Sequence, residues 1–305
     1  MTAIVGGLVA AMLWAAATLS SSRSSRMLGS RVVIAWVMIV GAIVGLPVAL
    51  LSPAPAEVRP ESIAIVLLSG ICYVVGLQLT YAALRIGQVS LIAPIVATEG
   101  AIGALIAVAL GDPLALSAAV MLGVIVVGVV MASLERSGPD VPAGDLDLVV
   151  DPADLEAAPA TGPARVATER RALFLAIAAA CFFGVGLVAA GRSALVLPVA
   201  WVAVTARAVG ILVVALPLVL TGRLTLTRRA LPLVIVAGVG EIIGSMASAW
   251  GSRESIAVTA VLGSQFAAIA AVAAYVLFHE RLARIQVIGV VLIVAGVTAL
   301  AATSL

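Results

Sequence analysis

Several residue types are scarce in this sequence of 305 residues, which contains no lysine, one histidine (His279) and two cysteines (Cys72 and Cys181). One histidine and two separated cysteines supply neither the spacing of a metal site nor a disulfide framework. We expect both cysteines to be small buried hydrophobes. Charged residues make up 10% of the chain, against about 25% in an ordinary soluble domain. This composition excludes a disordered chain and a nucleic-acid-binding protein, and it is too poor in polar residues to cover a soluble core.

Apolar residues are abundant instead, at 63% of the chain with a mean hydropathy of +1.27. Lipid is the solvent in which such a surface is stable, so the composition predicts a multi-pass membrane protein. The apolar runs are uniform rather than alternating, which favours helices over a barrel. The first run has no positive charge before it, and we favour a retained helix over a signal peptide. Ten runs near the length of a membrane span lie at about 3–19, 32–51, 62–84, 89–110, 114–134, 172–190, 195–220, 230–250, 256–278 and 285–302.

An internal repeat relates the two ends of the chain. An offset of 168 residues places spans three to five on spans eight to ten, and near the start the offset is 169 to 170, so that MLWA at 12–15 falls on CFFG at 181–184. Five helices in each copy is an odd number, so the second copy must enter the membrane from the opposite face. The fold class predicted is therefore an all-α membrane protein with ten transmembrane helices in two inverted five-helix repeats. The matched pairs include Gly70 with Gly238, Tyr73 with Glu241, Gly76 with Gly244, Asp112 with Glu280 and Gly128 with Gly296.

The acidic, proline-rich segment 135–171 separates the two copies. Its composition predicts a solvated and largely disordered linker. The predicted domains are a first repeat at 1–134, the linker at 135–171, and a second repeat at 172–305. Most arginines fall in alternate loops, and the positive-inside rule then places both termini outside the cell.

Three ionisable side chains lie near the middle of predicted spans: Glu99, Arg207 and Glu241. Each costs about 2.5–3.5 kcal/mol at the centre of a membrane helix, so such residues face a bundle interior or a wet cavity. A structural ion pair between Arg207 and one glutamate is the alternative to a binding site. Two glutamates and one arginine still leave one carboxylate unpaired, awaiting a proton or a cation. Our hypothesis is that Glu99 or Glu241 binds a proton or an amine, while Arg207 holds a substrate carboxylate.

Other polar side chains in the spans are candidates for the same cavity. Tyr73 is the repeat mate of Glu241, so both are expected to face the central axis, and Gln265 lies in the ninth span. Gln265 can equally serve as an interhelical hydrogen bond. Trp14 is expected either to line the cavity or to contact lipid. His279 and Glu280 are interpreted as a helix end, because no HExxH, GxSxG, Walker A or CxxC motif occurs. The sequence therefore predicts no catalytic residue, no metal and no cofactor.

The stretch 257–299 resembles the last two helices of the EamA branch of the drug/metabolite transporter superfamily. It contains HERL at 279–282, similar to the family's GERL turn, and GDPL at 111–114 is a weaker version in the first half. ARAVGILVVALPL at 206–218 resembles the second helix of a family repeat, with Arg207 at the family's arginine position. The resemblance implies a ten-helix exporter or exchanger of small polar metabolites. It also implies termini in the cytoplasm, opposite to the arginine distribution, so both orientations stay open.

The residues and the resemblance together predict a secondary active transporter in the plasma membrane. It would export or exchange a small polar solute such as an amino acid by alternating access, with coupling to protons as one option. Its partners are that solute and membrane lipids. One alternative is a facilitated exchanger of sugar-like or phosphorylated solutes, which would use Arg207 without protons. A membrane-embedded enzyme or a lipid-handling protein is an alternative of a different class.

Overall fold

The structure is a computed structural model that describes residues 1–53, 59–86, 95–133, 163–266, 268–269, 273 and 284–303. The described residues are helical and contain no strand, which confirms the all-α class. We number the helices in chain order. They are α1 (Thr2–Leu28), α2 (Ser30–Leu51), α3 (Pro60–Ile86), α4 (Glu99–Ala109), α5 (Leu116–Ser133), α6 (Pro163–Ala194), α7 (Val199–Leu220), α8 (Leu231–Gly251), α9 (Ile256–Gly263) and α10 (Arg284–Thr303).

Six of these helices are long and apolar enough to cross a membrane: α1, α2, α3, α6, α7 and α8. They coincide with six of the predicted runs. The other four predicted runs coincide with the shorter described helices α4, α5, α9 and α10. Large aliphatic side chains point outward along these helices, for example Ile43 at 66% and Leu105 at 72% exposure. Such a surface is stable in lipid, where burial inside the protein is not needed. Cys72 is buried as expected, whereas Cys181 is exposed, so the expectation for Cys181 was wrong.

The start of α6 differs from the predicted domain boundary. Residues 163–171 were placed in the linker, but the helix begins at Pro163. Proline suits the first turn of a helix because its missing N–H has no partner there in any case. The charged residues after it continue the helix beyond the apolar run and give it 32 residues. The remainder of the predicted linker, 135–162, lies outside the described residues, as do His279 and Glu280.

Two predicted spans are interrupted rather than continuous. A turn at Ala97–Thr98 precedes α4, and a turn at Ser264–Gln265 follows α9. At each turn a hydroxyl bonds to the carbonyl three residues earlier: Thr98 Oγ1 donates to Ile95 O at 2.6 Å, and Ser264 Oγ donates to Val261 O at 2.9 Å. Such local bonds compete with the helical ladder. Glu99 therefore lies in the first turn of a helix and not in the middle of one.

Helix α7 changes its winding just after Arg207. It is α-helical over Val199–Gly210, π-helical over Ile211–Ala215, and α-helical again over Leu216–Leu220. Pro217 has no N–H and cannot donate to the carbonyl four residues earlier, which favours a widened turn there. Single π-helical turns are frequent at functional sites.

Helices of the first half pack against helices of the second half in matching ways. The α5–α10 contact brings Gly128 against Ile293 and Gly296 against Ile125, so these two helices run antiparallel. The α2–α7 contact is also antiparallel, because Gly45 meets Val204 while Gly210 meets Met38. In each case an added Cβ would approach its neighbour to 3.0 Å or less, so glycine permits the close approach.

Two further contacts use an aromatic ring against a glycine. Helix α1 packs on α8, where a Cβ at Gly244 would lie 2.8 Å from Nε1 of Trp14. Helix α6 packs on α3, where a Cβ at Gly76 would lie 2.8 Å from Cδ1 of Phe183. Trp14 therefore packs against another helix through this contact, while its side chain as a whole is half-buried.

The loop between α8 and α9 holds the start of α1. Glu254 accepts hydrogen bonds from the amine of Met1 at 2.6 Å, from the hydroxyl of Thr2, and from the N–H of Ala3 at 2.9 Å. These donors lower the pKa of Glu254 from its ordinary 4.5 to about 2. A carboxylate in this position also neutralises the positive end of the α1 dipole.

Candidate functional site

Among the residues that the structure describes, Arg207 is the largest side chain that is fully buried, at 1% exposure. It lies in α7 one turn before the π-helical segment, and glycine at position 41 of α2 leaves room for its aliphatic stem: a Cβ there would lie 3.1 Å from Cδ of Arg207. Its Nη2 donates to Ser245 Oγ at 2.6 Å and to Glu241 O at 3.2 Å. Its Nη1 lies 3.7 Å from Sδ of Met38.

Glu241 pairs with Arg207 from the neighbouring helix α8. The carboxylate oxygen Oε2 lies 3.5 Å from Nη2 of Arg207, and it accepts a hydrogen bond of 2.9 Å from the hydroxyl of Tyr73. The guanidinium carbon of Arg207 also lies 5.2 Å from the centre of the Tyr73 ring, in the range of a cation–π contact. Three of the predicted residues therefore meet in one cluster, which we call the Arg207 cluster: Tyr73, Arg207 and Glu241.

The Arg207 cluster has a structural and a functional aspect. Ser245 Oγ donates to Glu241 O at 2.7 Å while it accepts from Arg207, so the guanidinium is tied to one turn of α8. This geometry fits the ion pair that the sequence left open as an alternative to a substrate clamp. The Nε of Arg207 remains buried without a hydrogen-bond partner, so one donor of the guanidinium is uncommitted. Glu241 keeps 20% exposure of its side chain and is the more accessible member of the pair.

Glu99 is the second buried carboxylate and takes no part in the Arg207–Glu241 ion pair. It is 7% exposed, and within the described part of the chain it makes no hydrogen bond and no ion pair. Burial of a carboxylate without a counter-charge is costly unless the group is neutralised by a proton or by a cation.

Gln265 lies in the turn after α9 and is 2% exposed. Its Nε2 has no hydrogen-bond partner. None of its described contacts joins it to the Arg207 cluster. Among the described residues, no three His, Cys, Asp or Glu side chains are grouped so that they could hold a metal ion.

Two residues of the site were missed by the sequence reasoning. Ser245 holds Arg207 and follows Glu241 by four residues, so one helical face carries both. That spacing is a signal that could have identified it. Met38 was overlooked because an apolar side chain in a membrane helix carries no signal of its own.

Comparisons with known proteins agree with the fold and the composition. Among solved structures, 21 chains have a similar fold. One of them, described as a crystal structure of a protein, is 19% identical in sequence and superimposes with a TM-score of 0.73. The match covers 98% of this chain and 95% of that chain. No curated protein matches. The model of the EamA-like transporter family matches residues 1–134, the predicted first repeat. This family consists of membrane transporters of the drug/metabolite type, which points away from an enzyme. Over residues 1–134 the chain is therefore similar to the EamA-like transporter family, the EamA branch of the drug/metabolite transporter superfamily.

Proposed function

We propose that the chain is a secondary active transporter of the plasma membrane that moves a small polar solute by alternating access. The solute carries an amine, as an amino acid does, and its passage is coupled to protons. Two inverted five-helix repeats, at 1–134 and after the linker, rock against each other around a site between them.

The packing of the helices supports the inverted repeat. Gly70 contacts Val209, and its mate Gly238 contacts Val40, so the same contact occurs twice with the halves exchanged. The α2–α7 and α5–α10 pairs are repeat mates that run antiparallel. A two-fold axis in the membrane plane makes the two helices of a mate pair run antiparallel. A repeat of the parallel type would make them run in the same direction.

The observation that carries the proposal is that repeat mates meet inside the Arg207 cluster. Tyr73 and Glu241 are related by the 168-residue offset and share a hydrogen bond of 2.9 Å. Met38 and Arg207 are related by an offset of 169 residues and lie 3.7 Å apart. Mates can touch only close to the axis that relates them. The buried charges therefore lie where a rocking motion of the two halves rearranges contacts.

Glu99 is the residue that we assign to coupling. Because its side chain is buried, an unpaired carboxylate there is costly unless it holds a proton. A cationic amine provides the same neutralisation, so proton and amine compete for one group. That competition is sufficient for exchange of one against the other. Arg207 neutralises Glu241 in this conformation, which leaves Glu99 as the acid that is available to a proton or an amine.

Facilitated exchange of a phosphorylated or sugar-like solute is less well supported. Such a solute needs an uncommitted cation, and Arg207 already bonds to Glu241 and Ser245. An embedded enzyme is disfavoured by the absence, among the described residues, of a nucleophile paired with a base near a membrane face.

Flux into proteoliposomes tests the proposal. Radiolabelled amino acids, amines and sugars are offered to vesicles with and without a pH gradient. We expect the gradient to drive uptake of an amine-bearing solute, and Glu99→Gln to lower the driven flux at least tenfold. Glu61→Gln is the matched control, because Glu61 is an exposed acid in the first turn of α3. Full gradient-driven flux in the Glu99 variant would rule out this assignment.

A further inference from the structure

Two buried donors lie apart from the ion pair and have no use in it. Trp14 Nε1 and Gln265 Nε2 are both inaccessible and have no hydrogen-bond partner. Buried polar groups in proteins are almost always bonded, and a donor left unpaired costs free energy. Two such donors on neighbouring elements suggest that a ligand supplies the missing acceptors.

The two donors belong to neighbouring elements beside the Arg207 cluster. The indole of Trp14 reaches from α8, where Nε1 lies against Gly244, to α9, where Cζ3 lies 3.1 Å from the place of a Cβ at Gly263. Gly244 follows Glu241 by one helical turn. The Trp14 ring also meets the Phe266 ring edge-on, with 6.4 Å between the centroids. Gln265 lies between Gly263 and Phe266 in the sequence. Because Trp14 contacts both of these residues, Gln265 lies close to the indole.

Packing does not explain why an indole is present at position 14. Its repeat mate is Phe183, which packs on Gly76 as closely as Trp14 packs on Gly244. Phe183 meets Tyr73 edge-on, with 6.0 Å between the centroids, and fills its place without an N–H group. A phenyl ring therefore satisfies the same type of contact, and the N–H of Trp14 is an addition that the scaffold does not require.

The chemistry of the missing acceptor follows from the charges nearby. Neither Trp14 nor Gln265 carries a charge, Arg207 is paired with Glu241, and Glu99 adds an unpaired acid. A carboxylate or a phosphate would meet negative charge without an uncommitted cation. An uncharged oxygen accepts the same hydrogen bonds at no such cost.

We propose that Trp14 and Gln265 form a specificity subsite that binds an uncharged acceptor oxygen, a hydroxyl or an amide carbonyl, of the transported solute. This inference rests on the proposed function. The amine of that solute binds to Glu99. Its oxygen binds to Trp14 in α1 and to Gln265 in the turn after α9. The solute class is then a hydroxylated or amide-bearing amine.

Binding of four matched amines to the full chain in lipid nanodiscs tests the subsite. The probes are ethanolamine and glycinamide, which have an uncharged acceptor, ethylamine, which has none, and glycine, which has a carboxylate. We expect the first two to bind roughly threefold to tenfold more tightly than ethylamine for each hydrogen bond made, and to shift the indole N–H resonance of Trp14. Trp14→Phe identifies that resonance.

The variants separate recognition from folding. Trp14→Phe reproduces the residue at the symmetry-related position, and Gln265→Leu keeps the volume. Each should lower the preference for ethanolamine over ethylamine. Trp36→Phe is the control, since the indole N–H of Trp36 already donates to Thr225 O at 2.9 Å. An unchanged preference in both variants overturns the inference. So does tighter binding of glycine than of ethanolamine, or an indole resonance that no acceptor-bearing probe shifts. A failure of gradient-driven flux alone speaks against the role of Glu99 instead.

Discussion

Removing either partner of the ion pair in the Arg207 cluster should have unequal effects on stability. Glu241→Ala leaves a guanidinium that is 1% exposed without a counter-charge, and breaking a buried pair in this way costs about 3–5 kcal/mol. Arg207→Met introduces at position 207 the same residue as its repeat mate, Met38. It leaves a carboxylate that is 20% exposed and still bonded to Tyr73, so it can be hydrated or protonated. We expect this variant to lose only about 1–3 kcal/mol.

The double variant adds a second constraint. When both charges are absent no buried ion is left unpaired, so the double variant should be more stable than the sum of the single losses implies, by about 1–3 kcal/mol of coupling. Unfolding by denaturant in mixed micelles, followed by circular dichroism, measures all four proteins. Asp112→Asn is the reference, because the partly exposed Asp112–Arg192 pair should contribute about 1 kcal/mol or less. Equal losses for the two single variants, or additivity in the double, would refute the reasoning.

Two other predictions concern packing and pH. Gly76→Ala should destabilise the protein by about 1–3 kcal/mol, because the new Cβ would lie 2.8 Å from the ring of Phe183. Gly123→Ala has no neighbour within 4 Å of the new Cβ, so it should be neutral or stabilise the protein by up to about 1 kcal/mol. The melting temperatures of the two variants test this difference. The depressed pKa of Glu254 means that its contribution to stability is present above pH 4.5 and is lost as the pH falls toward about 2. The melting temperature should therefore fall less with decreasing pH in Glu254→Gln than in the unmodified protein. An equal fall in the variant would count against the hydrogen bonds to Thr2 and Ala3.

Much of the architecture could be predicted because membrane insertion imposes a simple rule on composition. Each long apolar run had to become a helix, since lipid offers no partner for the backbone. The cost of burying a charge likewise identified Arg207 and Glu241 as residues facing the interior, and they do meet. The count of two acids and one base predicts one carboxylate without a counter-charge, and within the described residues Glu99 has none.

The failures come from features that composition does not encode. The turn before Glu99 depends on a single hydroxyl bond of Thr98, which is a local competition hidden inside an apolar run. The start of α6 at Pro163 was missed because a helix can extend into water, where hydropathy gives no signal. The sequence left Trp14 open between cavity and lipid, because its packing depends on a glycine in another helix and the spacing within α1 carries no trace of that contact.

Access to the Arg207 cluster from both membrane faces is the most direct test of the transporter account. Ser245→Cys, made in a background without Cys72 and Cys181, places one thiol beside the guanidinium. Membrane-impermeant thiol reagents are then applied to sealed vesicles from the outside or from the inside. The account predicts labelling from each side, slowed by a bound solute. Labelling from one side only, or from neither side, would contradict it.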